Sequence, residues 1–133
     1  MEDAYRLLKS GWQNGNRDRE NTLHLLFLAW MHWAEPDFLT GLTDDEDANE
    51  LWRAIYDDFG GEAASDAEFL FVASLMADIF PWALGDVAEW ETRAKRMAAR
   101  SLELKPEGFT TRAFQGRSDY GEYFTIHART DTM

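Results

Sequence analysis

The polar residues that could carry chemistry inside the apolar stretches of this chain are His32, Glu35 and Asp78. An imidazole and a carboxylate three residues apart can face one another on a helix, and general acid-base partners must reach a common substrate. One hypothesis is therefore a polar pocket of His32, Glu35 and Asp78 in a helical protein that binds or hydrolyses a small ligand. The alternative is structural. The imidazole would then make core or capping contacts, and Asp78 would either emerge at a gap in the packing or pair with an arginine such as Arg93 or Arg96.

The sequence predicts neither a metal site nor a cofactor site. His24 and His32 are eight residues apart, which is about 12 Å of helical rise and too far for one metal ion. Asp45 and Asp47 imitate the first ligands of a calcium-binding EF-hand loop, but Glu50 replaces the glycine that such a loop requires. Cysteine is absent, so thiolate ligands and a thiol nucleophile are excluded as well.

Negative charge is concentrated in one stretch. The chain has 13 Lys and Arg against 25 Asp and Glu, a formal net charge of -12. Between residues 44 and 68 there are ten acids and one basic residue, Arg53. The acids are Asp44, Asp45, Glu46, Asp47, Glu50, Asp57, Asp58, Glu62, Asp66 and Glu68. Two interpretations remain open, a solvated face and a docking surface for a basic protein, while binding to a nucleic-acid backbone is disfavoured.

A docking surface built on this acidic run also needs an anchor residue. Most of the six Trp residues are expected to pack in the core. Trp82 follows Pro81 at the end of an apolar run, and an exposed Trp there would suit an interface, since Trp is enriched at binding hot spots. The residues predicted to bind a partner are Asp44, Asp45, Asp47, Glu50, Asp57, Asp58 and Trp82.

Length and composition favour one globular domain. The 133 residues can form a core without disulfides or metal. The start, Met1-Glu2-Asp3, lacks the basic and apolar regions of a signal peptide, so we expect a cytoplasmic protein. The longest apolar runs, near 23–34 and 69–84, are shorter than the roughly 20 residues of a membrane span. We expect no membrane association.

Apolar periodicity and capping residues predict about five helices. Asn16 is expected to cap the second helix. Ser65 and Glu68 have the spacing of a capping box, and Gly85 with Asp86 can close one helix and cap the next. The predicted helices span about 2–13, 16–34, 44–59, 65–84 and 86–106.

The pattern changes past Pro106. Glycines interrupt any helical period there, and residues 123–126 favour extended structure. We therefore predict an irregular tail, 107–133, with room for one short strand, packed on a single helical domain of residues 1–106. The aromatic residues of the tail argue against disorder.

The stretch from Gly85 to Pro106 resembles part of a known helical repeat. The segments Gly85-Asp-Val-Ala-Glu-Trp90, Arg93-Ala94 and Arg100-Ser-Leu-Glu-Leu-Lys-Pro106 are similar to the turn and second helix of a tetratricopeptide repeat, whose units are paired helices of about 34 residues. The resemblance implies antiparallel helix pairs that stack to bury their apolar faces. The predicted fold class is all-α, with helices in antiparallel hairpins, either tetratricopeptide-like or an irregular bundle.

We favour a non-enzymatic protein-interaction module, because no catalytic motif stands out. In it, helix 67–84 lines a groove and the acidic surface selects a basic partner. A specialised version is a bacterial immunity or inhibitor protein that covers the basic active site of a toxin. A third hypothesis is a homodimer whose apolar helix faces close on each other, so both a monomer and a homodimer remain open.

Overall fold

The computed structural model of the chain describes residues 2–34, 47–79 and 84–127. These residues form seven α-helices and one 3₁₀ turn, so the all-α prediction is confirmed. The helices are α1 (Glu2–Gln13), α2 (Arg19–Ala34), α3 (Ala48–Phe59), α4 (Ala67–Ile79), α5 (Val87–Leu104), α6 (Thr111–Phe114) and α7 (Ser118–His127), and the 3₁₀ turn is Gly61–Ala63. The predicted helix number is wrong, since the described residues alone form seven helices rather than about five; they contain no strand, which the prediction left open.

The chain divides into two compact units, Met1–Phe59 and Gly60–Met133. The first unit contains α1 to α3, and the second contains the 3₁₀ turn and α4 to α7. Each unit buries large side chains of its own, with Trp30 and Trp52 fully buried in the first and Phe69 in the second.

The three helices of the first unit run antiparallel to one another in chain order. Tyr5, near the start of α1, lies against His32, near the end of α2, with 3.9 Å between ring centroids. Arg17, just before α2, lies 3.9 Å from Asp58, at the end of α3. Since each contact joins the beginning of one helix to the end of its neighbour, successive helices must reverse direction.

Helix α2 is enclosed on all sides over its second half, where every side chain from residue 25 to residue 32 is buried. The nearly uninterrupted apolar sequence predicts this burial. The N-terminal cap is Asp18, whose Oδ2 accepts a hydrogen bond from the backbone N–H of Asn21 at 3.0 Å. The predicted cap, Asn16, instead accepts a hydrogen bond from the backbone N–H of Asp18 at 2.8 Å.

Helix α3 is amphipathic, as its sequence predicts. Trp52 and Tyr56, one turn apart on its inner face, stack with 5.1 Å between ring centroids. The buried residues are Ala48, Leu51, Trp52, Ile55 and Tyr56. Gly60 ends the helix with a φ of 106°, a backbone conformation that residues other than glycine rarely adopt.

In the second unit, α4 and α5 form the predicted antiparallel hairpin. Near the end of α5, the hydroxyl of Ser101 donates to the carbonyl of Ala67 at the start of α4, at 2.8 Å. The Nε of Arg100 donates to the carbonyl of Ala64 at 2.7 Å. Both bonds connect residues more than thirty positions apart in sequence, so they fix the pairing of the two helices.

The caps of this hairpin are partly those expected. Asp86 caps α5 by accepting a hydrogen bond from the backbone N–H three residues later at 2.9 Å, as predicted. Helix α4 is capped by Asp66, which accepts from the backbone N–H three residues later at 3.1 Å. The predicted capping box of Ser65 and Glu68 is wrong, because the Glu68 carboxylate bonds elsewhere.

The C-terminal region contains two helices, so the extended structure that the sequence favours at 123–126 does not form. Within α7, Tyr120, Gly121 and Phe124 are buried. Their spacing is that of one helix face, and burying this face outweighs the preference of aromatic and β-branched residues for strands. Helix α6 contributes Phe114, whose ring centroid lies 6.0 Å from that of Phe124.

Gly121 allows α6 and α7 to approach one another closely. A Cβ atom on Gly121 would lie 2.1 Å from the carbonyl oxygen of Phe114 and 2.8 Å from the Cβ of Arg117. The first of these is a backbone atom, which cannot move aside without displacing the chain. Glycine is therefore required at this helical position.

We expect Gly121→Ala to destabilise the protein by about 1–3 kcal/mol, since the added methyl group overpacks a rigid contact. The measurement is the free energy of unfolding from urea denaturation.

The matched control is Gly11→Ala in α1, another helical glycine, where the nearest atoms to an added Cβ are at 3.6 Å. That substitution should stabilise the protein by up to about 1 kcal/mol, because alanine has the higher helix propensity. Equal effects of the two substitutions would contradict the close contact at Gly121.

Candidate functional site

The outward side of α3 presents carboxylates to solvent. Asp47, Glu50, Asp57 and Asp58 are all exposed. Glu50 and Asp57 are seven residues apart, which is about two helical turns, so they project from the same side. The apolar stripe on the opposite side is buried and holds this orientation. We call these four residues the α3 acidic face.

Arg17 is a cation that lies close to the Asp58 end of the α3 acidic face. The Nε of Arg17 is 3.9 Å from Oδ1 of Asp58, and both side chains are about half exposed. Arg17 is held in place by other contacts, since it donates to the carbonyl of Trp12 at 2.8 Å and its guanidinium lies 3.4 Å from the Trp12 ring centroid. The charge of Asp58 is thus partly compensated.

Glu50 and Asp57 form no such contact with a described cation, although Arg53 lies about one helical turn from each of them on the same side of α3. Arg53, the basic residue between them in sequence, donates through Nε to Oδ1 of Asn49 at 2.7 Å. Within the described part of the chain, Glu50 and Asp57 form no ion pair. These two carboxylates therefore form the centre of the α3 acidic face.

The remaining described acids of the acidic run serve the second unit as structural groups. Glu62 lies 3.7 Å from Arg96, and Asp66 caps α4. Glu68 is buried. The ten acids between residues 44 and 68 therefore do not form a single charged surface.

Glu68 forms a buried ion pair between α4 and the C-terminal region. Its Oε2 accepts hydrogen bonds from Nη2 of Arg117 at 2.7 Å and from the hydroxyl of Tyr120 at 2.6 Å. The side chains of Glu68 and Arg117 are only 9% and 19% exposed. The guanidinium also lies 5.8 Å from the ring centroid of Phe114 and 5.1 Å from that of Tyr120. Such a carboxylate holds the fold together and is not available to a partner.

The hypothesised polar pocket divides between the two units. His32, in the first unit, is buried against Tyr5. Asp78, in the second unit, is exposed near the end of α4. Glu35 lies outside the described residues, so the pocket stays a prediction. The same holds for three predicted partner-binding residues outside the described ranges, Asp44, Asp45 and Trp82.

Of the two structural interpretations of Asp78, pairing with an arginine of α5 is wrong, whereas emergence at a gap in the packing agrees with its exposure. Arg93 bonds to Glu89 at 2.8 Å, and Arg96 lies near Glu62. Asp78 forms no ion pair within the described ranges. It is the one exposed residue of α4 between residues 67 and 79, and it borders a shallow recess of about 160 Å³ between α4 and α5. The groove predicted along helix 67–84 stays a prediction, since this recess is small and the end of that stretch lies outside the described residues.

A larger open cleft, about 380 Å³, lies in the first unit where the end of α1 meets the start of α2. Three carboxamides, those of Asn14, Asn16 and Asn21, line it together with Leu7 and Trp12. Its lining residues carry no titratable side chain. The cleft therefore offers hydrogen bonds and apolar contact, but no general acid or base.

Two other features are absent from the described residues, a metal-binding cluster and a membrane-spanning helix. In 2–34, 47–79 and 84–127, no three His, Asp or Glu side chains are grouped so that they could hold a metal ion. In the same ranges, no helix has the length and apolar character needed to cross a membrane.

Sequence analysis assigned no role to Arg117 or Tyr120. A signal was present, because Arg117 stands three residues from Phe114 on one side and from Tyr120 on the other. Aromatic residues this close in sequence to an arginine can lie beside its guanidinium, as both rings do here. A buried carboxylate such as Glu68 needs a shielded cation of this kind. Glu68 and Arg117 are 49 residues apart in sequence, however, so no local sequence pattern predicts that they pair.

The chain was compared with known proteins at three levels. Protein-family models, curated proteins and solved structures give no match. A functional proposal for this chain therefore depends on the geometry of its own residues.

We expect Glu68→Gln and Arg117→Met each to destabilise the protein by about 3–5 kcal/mol, because each leaves an uncompensated buried group. The double variant should lose less stability than the two single variants lose together. In a double-mutant cycle, this difference corresponds to an interaction energy above about 1 kcal/mol.

Urea denaturation provides the free energies for this cycle, and Glu122→Gln on the exposed side of α7 is the control. That control should change stability by less than about 0.5 kcal/mol. Strictly additive losses from the two single variants would show that Glu68 and Arg117 act independently.

Proposed function

We propose that this chain is a non-enzymatic protein-binding module that uses the α3 acidic face to dock a basic protein. The observation that carries the proposal concerns two exposed carboxylates, Glu50 and Asp57. They form no ion pair with a described residue and lie on one side of a helix whose other side is fixed in the core. Like charges arranged in this way attract a basic surface over a distance and accelerate its association.

The division of the acidic run supports this assignment. Glu68, Asp66 and Glu62 have structural contacts in the second unit, whereas Glu50 and Asp57 form no side-chain hydrogen bond or ion pair with the described residues. These two exposed acids, two helical turns apart, repel each other weakly and bring the fold no benefit. A basic partner would neutralise that repulsion.

The helical pairing of the chain is consistent with a binding role. Antiparallel hairpins such as α4 with α5, which resembles a tetratricopeptide hairpin, present rigid helix faces to partners. Glu50, Asp57 and Asp58 of the α3 acidic face likewise belong to a helix that packs antiparallel to its neighbour, and not to a loop. Rigid presentation lowers the entropy lost on binding.

We expect the double variant Glu50→Lys with Asp57→Lys to associate with the partner about 10-fold more slowly at low salt, because reversal of exposed interface charge acts mainly on the association rate. Both positions are exposed, so the fold should persist. Circular dichroism checks that it does. Partners are captured from the source cells at low salt and purified, and their association rates are measured by surface plasmon resonance.

The matched control is Glu103→Lys with Glu122→Lys, which changes net charge equally at exposed positions of the second unit. Its association rate should stay within about 2-fold of the wild type if location, and not total charge, directs the encounter. Equal slowing of both variants, or an unchanged rate for the Glu50 and Asp57 variant, would reject the α3 acidic face. Capture of a basic toxin would identify the inhibitor form of this function.

A further inference from the structure

The open cleft between α1 and α2 lies within the first unit and includes no residue of the α3 acidic face. Its volume of about 380 Å³ is in the range of small-ligand sites. Gly11, which has no side chain, lines the cleft beside Leu7 and Leu8 of α1 and Leu25 of α2. Carboxamides border it at the other end, where α1 leads into α2. The cleft therefore has an apolar end and a polar end.

At the polar end, Asn16 holds its carboxamide in one orientation. Its Oδ1 accepts a hydrogen bond from the backbone N–H of Asp18 at 2.8 Å. Its Nδ2 lies over Gly11, 3.6 Å from the position that a Cβ atom on that glycine would take. Since the oxygen is already bonded, Asn16 offers the cleft a donor, and a ligand must supply an acceptor oxygen there.

The carboxamides of Asn14 and Asn21 also line the cleft. Both residues are exposed, and neither side chain forms a hydrogen bond with a described residue. Each carboxamide presents an acceptor and a donor side by side. The residues that line the cleft carry no ionisable side chain. A matching ligand is therefore neutral and has several groups that both donate and accept hydrogen bonds.

Hydroxyl groups meet this requirement better than a peptide or a nucleobase does. A hydroxyl both donates and accepts, and it rotates to suit its partner. The N–H and C=O of a trans peptide point in opposite directions, so they cannot meet one carboxamide together. A nucleobase needs an aromatic surface on which to stack. Trp12 is the one aromatic residue that lines the cleft, and Arg17 already covers its ring, with the guanidinium 3.4 Å from the ring centroid.

We propose that this cleft is a binding site for a neutral sugar that carries an acetamido group. The acetamido carbonyl accepts a hydrogen bond from Nδ2 of Asn16, and the ring hydroxyls pair with the carboxamides of Asn14 and Asn21. The acetamido methyl group takes the apolar surface at Gly11 and Leu8. A plain hexose lacks this methyl group, and an amino sugar without the acetyl group brings an ammonium ion to a lining that has no carboxylate.

The test is a titration of the full isotope-labelled chain with N-acetylglucosamine, followed by NMR of the side-chain amide groups. We expect the Nδ2 signals of Asn14, Asn16 and Asn21 to shift with one dissociation constant. It should be about 1–10 mM, because a small ligand in an open cleft has few contacts to offset the entropy lost on binding. The signal of Asn49, whose Oδ1 is bonded to Arg53 on α3, is the internal reference and should not move.

Matched sugars test recognition of the acetamido group. Glucose has a hydroxyl in its place, and glucosamine has an ammonium group. Each should bind at least about 5-fold more weakly than N-acetylglucosamine, since each lacks the carbonyl acceptor and the methyl contact. A small amide without ring hydroxyls, N-acetylglycinamide, should also bind more weakly, because it leaves the carboxamides of Asn14 and Asn21 without partners.

Variants of the cleft provide the second arm. A leucine in place of Gly11 would point back over the preceding turn and fill the apolar end, so Gly11→Leu should weaken binding at least about 10-fold. The fold should persist, because leucine has the higher helix propensity. Asn21→Ala should weaken binding about 5-fold through loss of hydrogen bonds. The matched control is Gln13→Ala, which removes an exposed carboxamide of α1 outside the cleft and should leave the dissociation constant within about 2-fold.

Several outcomes would overturn the proposal. They are unshifted Nδ2 signals of the three asparagines at the highest sugar concentration, equal affinity for glucose or glucosamine, and wild-type binding by a folded Gly11→Leu variant. Equal weakening by Gln13→Ala and Asn21→Ala would show that the sugar does not bind in the cleft. Tighter binding of N-acetylglycinamide than of the sugar would reject the sugar in favour of a peptide.

Discussion

Glu68 places a carboxylate at the start of α4, directly before Phe69 and Leu70, which are fully buried. An ionised group in such surroundings costs several kcal/mol unless a cation and hydrogen-bond donors meet it. Arg117 and Tyr120 supply both. Since both belong to the C-terminal region, α4 cannot keep its charged residue buried without that region. The helices after residue 106 are thus part of the core of the second unit.

The same interaction changes the interpretation of the acidic sequence run. Residues 44 to 68 carry ten acids, and a count of charges treats them as equal. In the structure their roles differ according to what each helix buries. Glu68 accepts a hydrogen bond from the largely buried Arg117, and Asp66 accepts one from a backbone N–H in the first turn of α4. Glu50 and Asp57 instead lie on the solvent side of an amphipathic helix. Charge available to a partner is therefore smaller and more localised than net charge suggests.

Local patterns predicted the parts of the fold that local physics controls. The bounds of α1, the buried stripe of α3 and the cap at Asp86 follow from apolar period and backbone hydrogen bonding within a few residues. The cap of α4 was predicted wrongly, because Glu68 fits a capping box locally but has a stronger partner 49 residues away. The C-terminal helices were missed for a related reason: glycine and aromatic residues weaken a local helical signal, and tertiary burial decides their conformation.

Ionic strength sets the conditions under which the α3 acidic face acts. Raising it from 0.01 to 0.15 M shortens the Debye length from about 30 to 8 Å, so exposed charges attract a partner over a shorter distance. Attraction of a basic partner by Glu50 and Asp57 depends on that distance, whereas the short-range contacts that hold a formed complex together depend on it much less. Salt should therefore slow association through the α3 acidic face and change the dissociation rate little, and both rates measured across that range would show whether these carboxylates direct the encounter.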